Sequence, residues 1–159
     1  NNLHIMLLFL DIDGVMVPAK SWERPELLND GFPVFSSRAT RVLQNIISDD
    51  TTVMLTTSHK STYTIDEWKS IFEKRSIKIT NLKSLDSNTN NLSRKDEILN
   101  WFNVNNVDED YVIIDDDKSL NGLPVFLKDK LILTSALVGL TDQHLDESKS
   151  ILYKGLQPV

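Results

Sequence analysis

The sequence contains no cysteine and no long hydrophobic run, and each absence excludes a class of protein. Without cysteine, the chain has no disulfide bonds and no thiolate chemistry. The longest apolar run, Ile5 to Leu10, is followed directly by Asp11 and is far too short to cross a bilayer. Neither a basic segment nor a small-residue cleavage site flanks this run, so we expect no secretory signal. We therefore expect a cytoplasmic protein without a membrane partner.

Positive charge is scarce. The chain has 17 lysines and arginines against 23 aspartates and glutamates, which gives a net charge of −6. Nonspecific nucleic-acid binding depends on cations that neutralise phosphates, so the chain is not a general nucleic-acid binder. A local basic surface is still possible. The simplest interpretation of its candidate residues is a solvated helix face, and these residues are Lys60, Lys69, Lys74, Arg75 and Lys78. The phosphate-binding loop GxxxxGK is also absent, which argues against nucleotide hydrolysis by that route.

Apolar segments of two kinds alternate along the 159 residues. Short runs typical of buried strands occupy residues 5–10, 52–57, 77–80, 111–114 and 131–133. Segments with helical periodicity occupy residues 37–47, 64–72, 93–102 and 141–153. In the second of these helices, Thr64 and Glu67 form a predicted capping box. Strands that alternate with helices predict one α/β domain over residues 1–159, with a mostly parallel, five-stranded sheet between helical layers.

Several polar residues fall where the predicted strands end. In parallel sheets the carboxyl ends of the strands meet at one edge, where ligands bind. Four groups lie at or near that edge: Asp11 and Asp13 after the first strand, Thr57 and Ser58 after the second, Arg94 and Lys95 at a helix start, and Asp115 to Asp117 after the fourth strand. One aspartate pair alone would suit a solvated strand end, whereas the four groups together favour a functional site.

The chemistry of these groups indicates a metal and phosphate site. Carboxylates that are brought together repel each other unless a cation joins them, and a set of oxygen ligands favours Mg²⁺. A carboxylate held in this way can act as a nucleophile, while a lysine and a hydroxyl take up charge on a phosphoryl group. Gly14 allows the backbone to turn sharply beside the first aspartate pair.

Three choices between neighbouring residues stay open. Asp117 is the aspartate of its group that best suits a simple helix cap. Because side chains alternate along a strand, Thr56 competes with Thr57 as the phosphate ligand. Lys95 is the expected cation of the site, with Arg94 as its rival, and an exposed helix lysine without a role is the remaining alternative for Lys95.

The order of these motifs resembles that of the haloacid dehalogenase (HAD) superfamily of phosphohydrolases. FLDIDGV, residues 9–15, is similar to its first motif, and VMLTTS, residues 53–58, to its second. SRKDEILNWF, residues 93–102, is similar to the third motif, and YVIIDDD, residues 111–117, to the double-aspartate form of the fourth. The resemblance implies a Rossmann-like three-layer sandwich.

The resemblance also implies a role for each matching residue. Asp11 would be the nucleophile that forms an aspartyl-phosphate, and Asp13 would be the general acid and base. Thr57 and Ser58 would bind the phosphoryl group, and Lys95 would offset charge on the nucleophile and the phosphate. The implied Mg²⁺ ligands are Asp11, Asp13 through its backbone carbonyl, Asp115 and Asp116. The presence of Asp13 favours phosphoryl transfer over dehalogenation.

Two further features narrow the resemblance. GLTDQHLDESKSIL, residues 139–152, together with the short chain, resembles small HAD domains associated with RNA repair systems. Residues 15–35, with three prolines, leave room only for a β-hairpin flap, and residues 59–92 are filled by core elements, so no large cap is expected. An open site favours bulky phosphorylated substrates such as RNA or DNA ends, nucleotides or phosphoproteins. The physiological substrate and the oligomeric state stay open.

Two other functions remain alternatives. A receiver-like signalling domain also uses paired aspartates, a threonine and a lysine on a parallel sheet. Its phosphorylated aspartate would follow a later strand, and IKIT at residues 77–80 offers none. A non-catalytic, metal-binding interaction domain is the second alternative. The roles of His59, which could contact substrate, and of Trp22, which could stack on a base, stay open.

Overall fold

The computed structural model describes residues 5–20 and 22–156, with side chains as far as Leu152. Five parallel strands form one sheet in the order β3-β2-β1-β4-β5. The strands are β1 (Leu7–Leu10), β2 (Thr52–Leu55), β3 (Asn81–Ser84), β4 (Tyr111–Asp115) and β5 (Leu131–Leu133). The helices are α1 (Ser37–Ile46), α2 (Ile65–Glu73), α3 (Arg94–Val104), α4 (Val125–Lys128) and α5 (Asp142–Leu156), with a 3₁₀ turn at Lys118–Gly122. No helix in these ranges is long and apolar enough to cross a membrane.

Helix starts follow local capping chemistry. The Thr64 hydroxyl accepts a hydrogen bond from the backbone N–H of Glu67, and the Glu67 carboxylate accepts one from the N–H of Thr64. This confirms the predicted capping box. Ser93 caps α3 in a simpler way, because its hydroxyl accepts from the N–H of Asp96. The Ser93 cap therefore fixes where α3 begins.

Alternation along the central strands builds a core on both faces of the sheet. Leu8 and Leu10 of β1 join the apolar cluster beneath α1, α2 and α5. Leu7 and Phe9 point the other way and pack in a second cluster that includes Ile98 of α3. The observed architecture is therefore the predicted Rossmann-like three-layer α/β sandwich, with a fully parallel sheet.

One strand was placed wrongly by the sequence pattern. Residues 77–80 were predicted as a strand, but β3 is Asn81–Ser84. Ile77 and Ile79 are buried as expected, yet the Ile77 N–H bonds back to the carbonyl of Phe72 and closes the end of α2. The strand begins only at Asn81, where the chain pairs with Thr52 of β2. The apolar residues of this segment fill the core before the ladder starts.

The segment between β1 and α1 is a short flap, and no cap domain is present among the residues described. The tip of the flap turns back on itself, because the Leu28 N–H donates to Phe32 O and the Val34 N–H donates to Glu26 O. A single antiparallel bridge joins Leu27 to Pro33. The flap is therefore a short loop that folds back on itself and not an inserted domain.

A buried arginine from the end of α2 fastens this flap tip. The Arg75 guanidinium donates to both carboxylate oxygens of Asp30, at 2.7 and 3.0 Å. It also donates to the carbonyls of Phe32 and Pro33, at 2.8 and 2.9 Å. The hydrogen bond from Arg75 lowers the pKa of Asp30 from its ordinary value of 3.8 to about 2. We call these contacts the Arg75 clamp.

Candidate active site

Strand register brings three separate chain segments to one level. Leu10 of β1 lies opposite Leu55 of β2 and Ile114 of β4. The residues that follow them, Asp11, Thr56 and Asp115, therefore emerge side by side at the carboxyl edge of the sheet. β1 and β4 are also where the strand order reverses direction, which is the usual ligand position in open α/β sheets.

Three carboxylates meet at this edge. One oxygen from each of Asp11, Asp115 and Asp116 lies within 4.8 Å of the others. Asp11 and Asp115 are almost completely buried, with exposures of 4% and 0%, and Asp116 is half-buried. We call these three residues the acidic group. They are three of the four predicted metal ligands.

Gly14 makes room for the acidic group. Its φ of +79° lies in the left-handed region, which favours glycine. The carboxylate of Asp116 occupies the place where a Cβ at this position would be. A side chain at Gly14 would therefore collide with a member of the acidic group as well as strain the backbone.

The buried carboxylates destabilise one another's charged forms. Burial raises the pKa of Asp11 well above its usual range, and repulsion from Asp115 adds to the rise. Burial also raises the pKa of Asp115, although Arg94 opposes that rise. A buried site that disfavours its own negative charge is suited to bind a cation.

The donor set of this site could bind a hard metal ion, and Mg²⁺ is the predicted one. All three side chains offer hard carboxylate oxygens, and no thiolate is present in the sequence. Three carboxylates carry more negative charge than one neighbouring guanidinium neutralises. Asp11, Asp115 and Asp116 would hold the ion. The predicted contribution of the Asp13 carbonyl stays a prediction.

Arg94 is the cation that contacts the acidic group. Its Nη1 donates to Asp115 Oδ2 at 2.6 Å and lies 3.5 Å from Asp11 Oδ1. Burial works to lower the pKa of Arg94, but Asp115 and Asp11 outweigh it and keep the guanidinium charged. The contact bridges the predicted nucleophile, Asp11, and a predicted metal ligand, Asp115, which is the position expected for Lys95.

Lys95 takes a different direction. Its side chain runs along the 3₁₀ turn, with Nζ 3.5 Å from the position of a Cβ on Gly122. Within the described ranges it forms no ion pair, whereas Arg94 forms three, with Asp11, Glu97 and Asp115. The catalytic role of Lys95 stays a prediction, and the geometry favours its rival.

Arg94 is held in place by Glu97, which the sequence did not single out, and Glu97 is itself paired with Lys60. Glu97 Oε1 lies 3.7 Å from Arg94 Nε, and Glu97 Oε2 lies 2.8 Å from Lys60 Nζ. All three side chains are almost fully buried. Lys60 and Arg75, suggested as parts of a solvated basic surface, are instead buried and paired. The spacing of Arg94 and Glu97, three residues apart on α3, was the available signal.

The hydroxyl groups divide between two tasks. Thr56 Oγ1 donates to Asp115 Oδ2 at 3.1 Å and is buried in the site. Thr57 Oγ1 accepts from the His59 N–H at 3.2 Å, and Ser58 is exposed. Thr56 therefore orients a member of the acidic group, while Thr57 orders the loop after β2. Which threonine binds phosphate stays a prediction.

The remaining aspartates lie outside the acidic group. Asp117 caps the 3₁₀ turn, because its carboxylate accepts from the Ser119 N–H at 2.9 Å, which confirms the simple role expected for it. Asp13 lies on the flap side with its side chain half-exposed. His59 Nε2 is 2.8 Å from Asp13 Oδ2. The two aspartates of the first motif thus face different surroundings.

Comparison with known proteins agrees with this geometry. A family model described as the HAD domain in Swiss Army Knife RNA repair proteins matches residues 7–145. No curated protein and no solved structure matches the chain. The matched residues contain the whole sheet, the acidic group and Arg94, an arrangement consistent with an HAD active site. The chain belongs to the family of HAD domains found in Swiss Army Knife RNA repair proteins.

Proposed function

We propose that the chain is a Mg²⁺-dependent phosphatase that removes the terminal phosphate from nucleic-acid ends through an aspartyl-phosphate. The observation that carries the proposal is the buried acidic group with Arg94 bonded across it. A structural ion pair needs one carboxylate for one guanidinium. Three carboxylates around one cation exceed that need, and they suit a site that binds both a metal and phosphate.

The chemistry assigns one step to each aspartate of the first motif. An Asp11 carboxylate oxygen attacks phosphorus, the bond to the leaving oxygen breaks, and Asp13 gives that oxygen a proton. Asp13 then takes a proton from water, whose oxygen attacks the phosphorus of the aspartyl-phosphate and returns Asp11 and inorganic phosphate. Different surroundings suit different roles, since Asp11 is buried beside Arg94 while Asp13 is open to solvent and substrate.

Charge stabilisation in these steps comes from groups that are already in place. Arg94 is fixed between Asp11 and Asp115, and it supports the negative charge that develops on the phosphoryl oxygens. Bound Mg²⁺ would supply further neutralisation of the phosphate and the carboxylates. Thr56 keeps Asp115 oriented throughout.

The flap side of the site suits a nucleotide as the leaving group. A groove of about 570 Å³ starts at Asp13 and is lined by residues 17–20, 23–26 and 34–36. Its prolines and valines suit the apolar faces of a sugar and base, and Lys20 and Arg24 supply positive charge for phosphates further along a strand. The family's occurrence in RNA repair proteins supports the same substrate class.

The receiver-like alternative receives no support. Receiver sheets have the order 2-1-3-4-5, in which β3 lies beside β1. Here β2 separates β3 from β1, and the acidic group lies between β1 and β4. A phosphorylated aspartate after β3 would lie on an edge strand of the sheet, separated from this group by β2.

The test compares wild-type chain with Asp11→Asn on p-nitrophenyl phosphate and on 5′- and 3′-phosphorylated oligonucleotides. We expect Mg²⁺-dependent release of phosphate by the wild type and a loss of about a thousandfold or more in the variant. Asp129→Asn, an exposed aspartate at the end of α4, is the matched control and should be unaffected. Full activity of Asp11→Asn would overturn the mechanism. Hydrolysis of the aryl ester without either oligonucleotide would overturn the substrate class alone.

A further inference from the structure

Asp13 needs orientation that its own surroundings do not provide. Its side chain is 52% exposed, and it starts the flap rather than belonging to a strand or helix. A half-exposed carboxylate rotates among several rotamers, and only some of them direct an oxygen into the groove. A proton donor acts well when it is held within hydrogen-bonding reach of the leaving oxygen.

His59 is the one side chain in the described part of the molecule that is hydrogen-bonded to Asp13. The Nε2 to Oδ2 distance of 2.8 Å is that of a good hydrogen bond. The histidine lies directly beyond the second motif, and its backbone N–H donates to Thr57 Oγ1. Its backbone is therefore tied to the same edge of the sheet as the acidic group.

The imidazole is supported from behind by the flap. The ring of buried Phe32 meets it edge to face, with 6.1 Å between centroids. Phe32 is itself held by the Arg75 clamp, which binds its carbonyl, and by a T-shaped contact with Trp68, with 5.4 Å between ring centroids. The His59 ring therefore contacts Asp13 while it is packed against the core, and such packing is what a positioning residue requires.

We infer that His59 is a positioning residue that holds the Asp13 carboxyl toward the groove, where the leaving oxygen lies. The inference rests on the proposed phosphatase function and deepens it, because it adds a residue that the motifs do not contain. His59 itself transfers no proton to substrate. Its effect passes through Asp13 and is therefore largest for substrates that depend most on Asp13.

Leaving-group chemistry makes this effect measurable. The leaving group of an alkyl phosphate such as glycerol 2-phosphate is a basic alkoxide, which needs a proton as it departs. The leaving group of p-nitrophenyl phosphate is p-nitrophenolate, which departs readily without one. The ratio kcat/KM reports the first irreversible step, which includes departure of the leaving group. We expect His59→Leu to lower kcat/KM for the alkyl ester about tenfold more than for the aryl ester.

Four companion variants separate a positioning role from a general loss of structure. His59→Gln retains a hydrogen-bond donor and should recover much of the lost alkyl-ester activity. Asp13→Asn should show the same leaving-group pattern, and adding His59→Leu to it should cost nothing further. His144→Leu, a histidine of α5 outside the site, should leave the ratio of the two kcat/KM values unchanged.

Different results would contradict the role of His59 and the proposed phosphatase function. Equal losses on both esters in His59→Leu, or additive losses in the double variant, would overturn the inference while leaving the phosphatase function intact. A wild-type chain that hydrolyses neither ester nor a phosphorylated oligonucleotide would overturn the proposed function, and this inference with it.

Discussion

At the scale of single residues, Arg94 connects the two most deeply buried carboxylates of the site. Its Nη1 donates to Asp115 at 2.6 Å and lies 3.5 Å from Asp11, so one guanidinium nitrogen contacts both carboxylates. A lysine at this position would offer one mobile point charge without that planar geometry. The guanidinium is itself held on the opposite side by Glu97, which is paired with Lys60.

Replacing Arg94 and Lys95 in turn should show which of these two cations of α3 supports catalysis. We expect Arg94→Met to lower kcat for p-nitrophenyl phosphate at saturating Mg²⁺ by about 10²–10³, the usual loss when a charge-stabilising donor is removed. Lys95→Met is the matched variant and should stay within about threefold of wild type, because its Nζ lies along the 3₁₀ turn. The opposite ranking, measured on variants with unchanged circular dichroism, would restore Lys95 to the predicted role.

The choice between these neighbours was beyond the sequence for a physical reason. Residues 98, 99 and 102 were all expected on the buried face of α3. Residue 98 lies four positions after Arg94 and residue 99 lies four positions after Lys95, so either cation could have been on the side of the buried face. Only Ile98 is fully buried, so the face is centred on the Arg94 side. A rotation of the helix by one residue would have exchanged the two roles, and the pattern does not fix that rotation.

At the scale of elements, the flap depends on α2 through the Arg75 clamp. The Arg75 side chain is 2% exposed and makes hydrogen bonds to Asp30, to the carbonyls of Phe32 and Pro33, and to the carbonyl of Ile71 in α2. Its guanidinium carbon also lies 5.6 Å and 5.2 Å from the ring centroids of Phe32 and Phe35. One side chain thus joins a loop without a β-ladder of its own to the core.

Loss of the clamp should therefore cost stability. We expect Arg75→Met to lower the free energy of unfolding by about 3 kcal/mol, because Asp30 and the flap carbonyls lose their donor in a largely buried site. The neighbouring Lys74 is exposed, and Lys74→Met should change stability by less than about 0.5 kcal/mol. Urea unfolding measures both values. Equal effects of the two variants would show that the clamp does not stabilise the fold.

The clamp also predicts a pH dependence. The pKa of Asp30 falls from 3.8 to about 2 on folding, so its contribution is complete above pH 5 and is lost as pH falls toward 2. Asp30→Asn should therefore be less stable than wild type by about 1–2 kcal/mol at pH 6, and the difference should shrink at pH 3. Urea titrations at the two pH values test this. A difference that grows on acidification would contradict the sign.

The wrong prediction for the third strand shows which property of an element the sequence pattern does not report. Ile77 and Ile79 alternate as a strand does, and both are buried. Burial and alternation do not report whether a backbone N–H pairs with a strand or with a helix end, and the Ile77 N–H bonds to α2. Conversely, β1, β2, β4 and β5 were recognisable because continuous apolar runs in a parallel sheet end in polar residues at one edge.

At the scale of the whole molecule, the sheet order explains why distant motifs converge. The chain builds β2 and β3 on one side of β1 and then crosses to place β4 and β5 on the other. Asp11 and the pair Asp115 and Asp116 thereby become neighbours although about a hundred residues separate them. The fold thus confines three carboxylates that would avoid one another in the unfolded chain, and a bound cation should relieve that repulsion.

Binding of Mg²⁺ should accordingly stabilise the entire fold. An ion that binds only the folded state adds about 2.7 kcal/mol at one hundred times its Kd, which corresponds to about 5–10 °C in Tm for a chain of this size. Asp116→Asn removes one carboxylate of the acidic group and should lose most of this increase, while Asp129→Asn should retain it. Calorimetry with and without Mg²⁺ measures the shifts. Equal increases in wild type and Asp116→Asn would mean that the ion binds away from the acidic group, because a ligand of the stabilising site must affect the stabilisation.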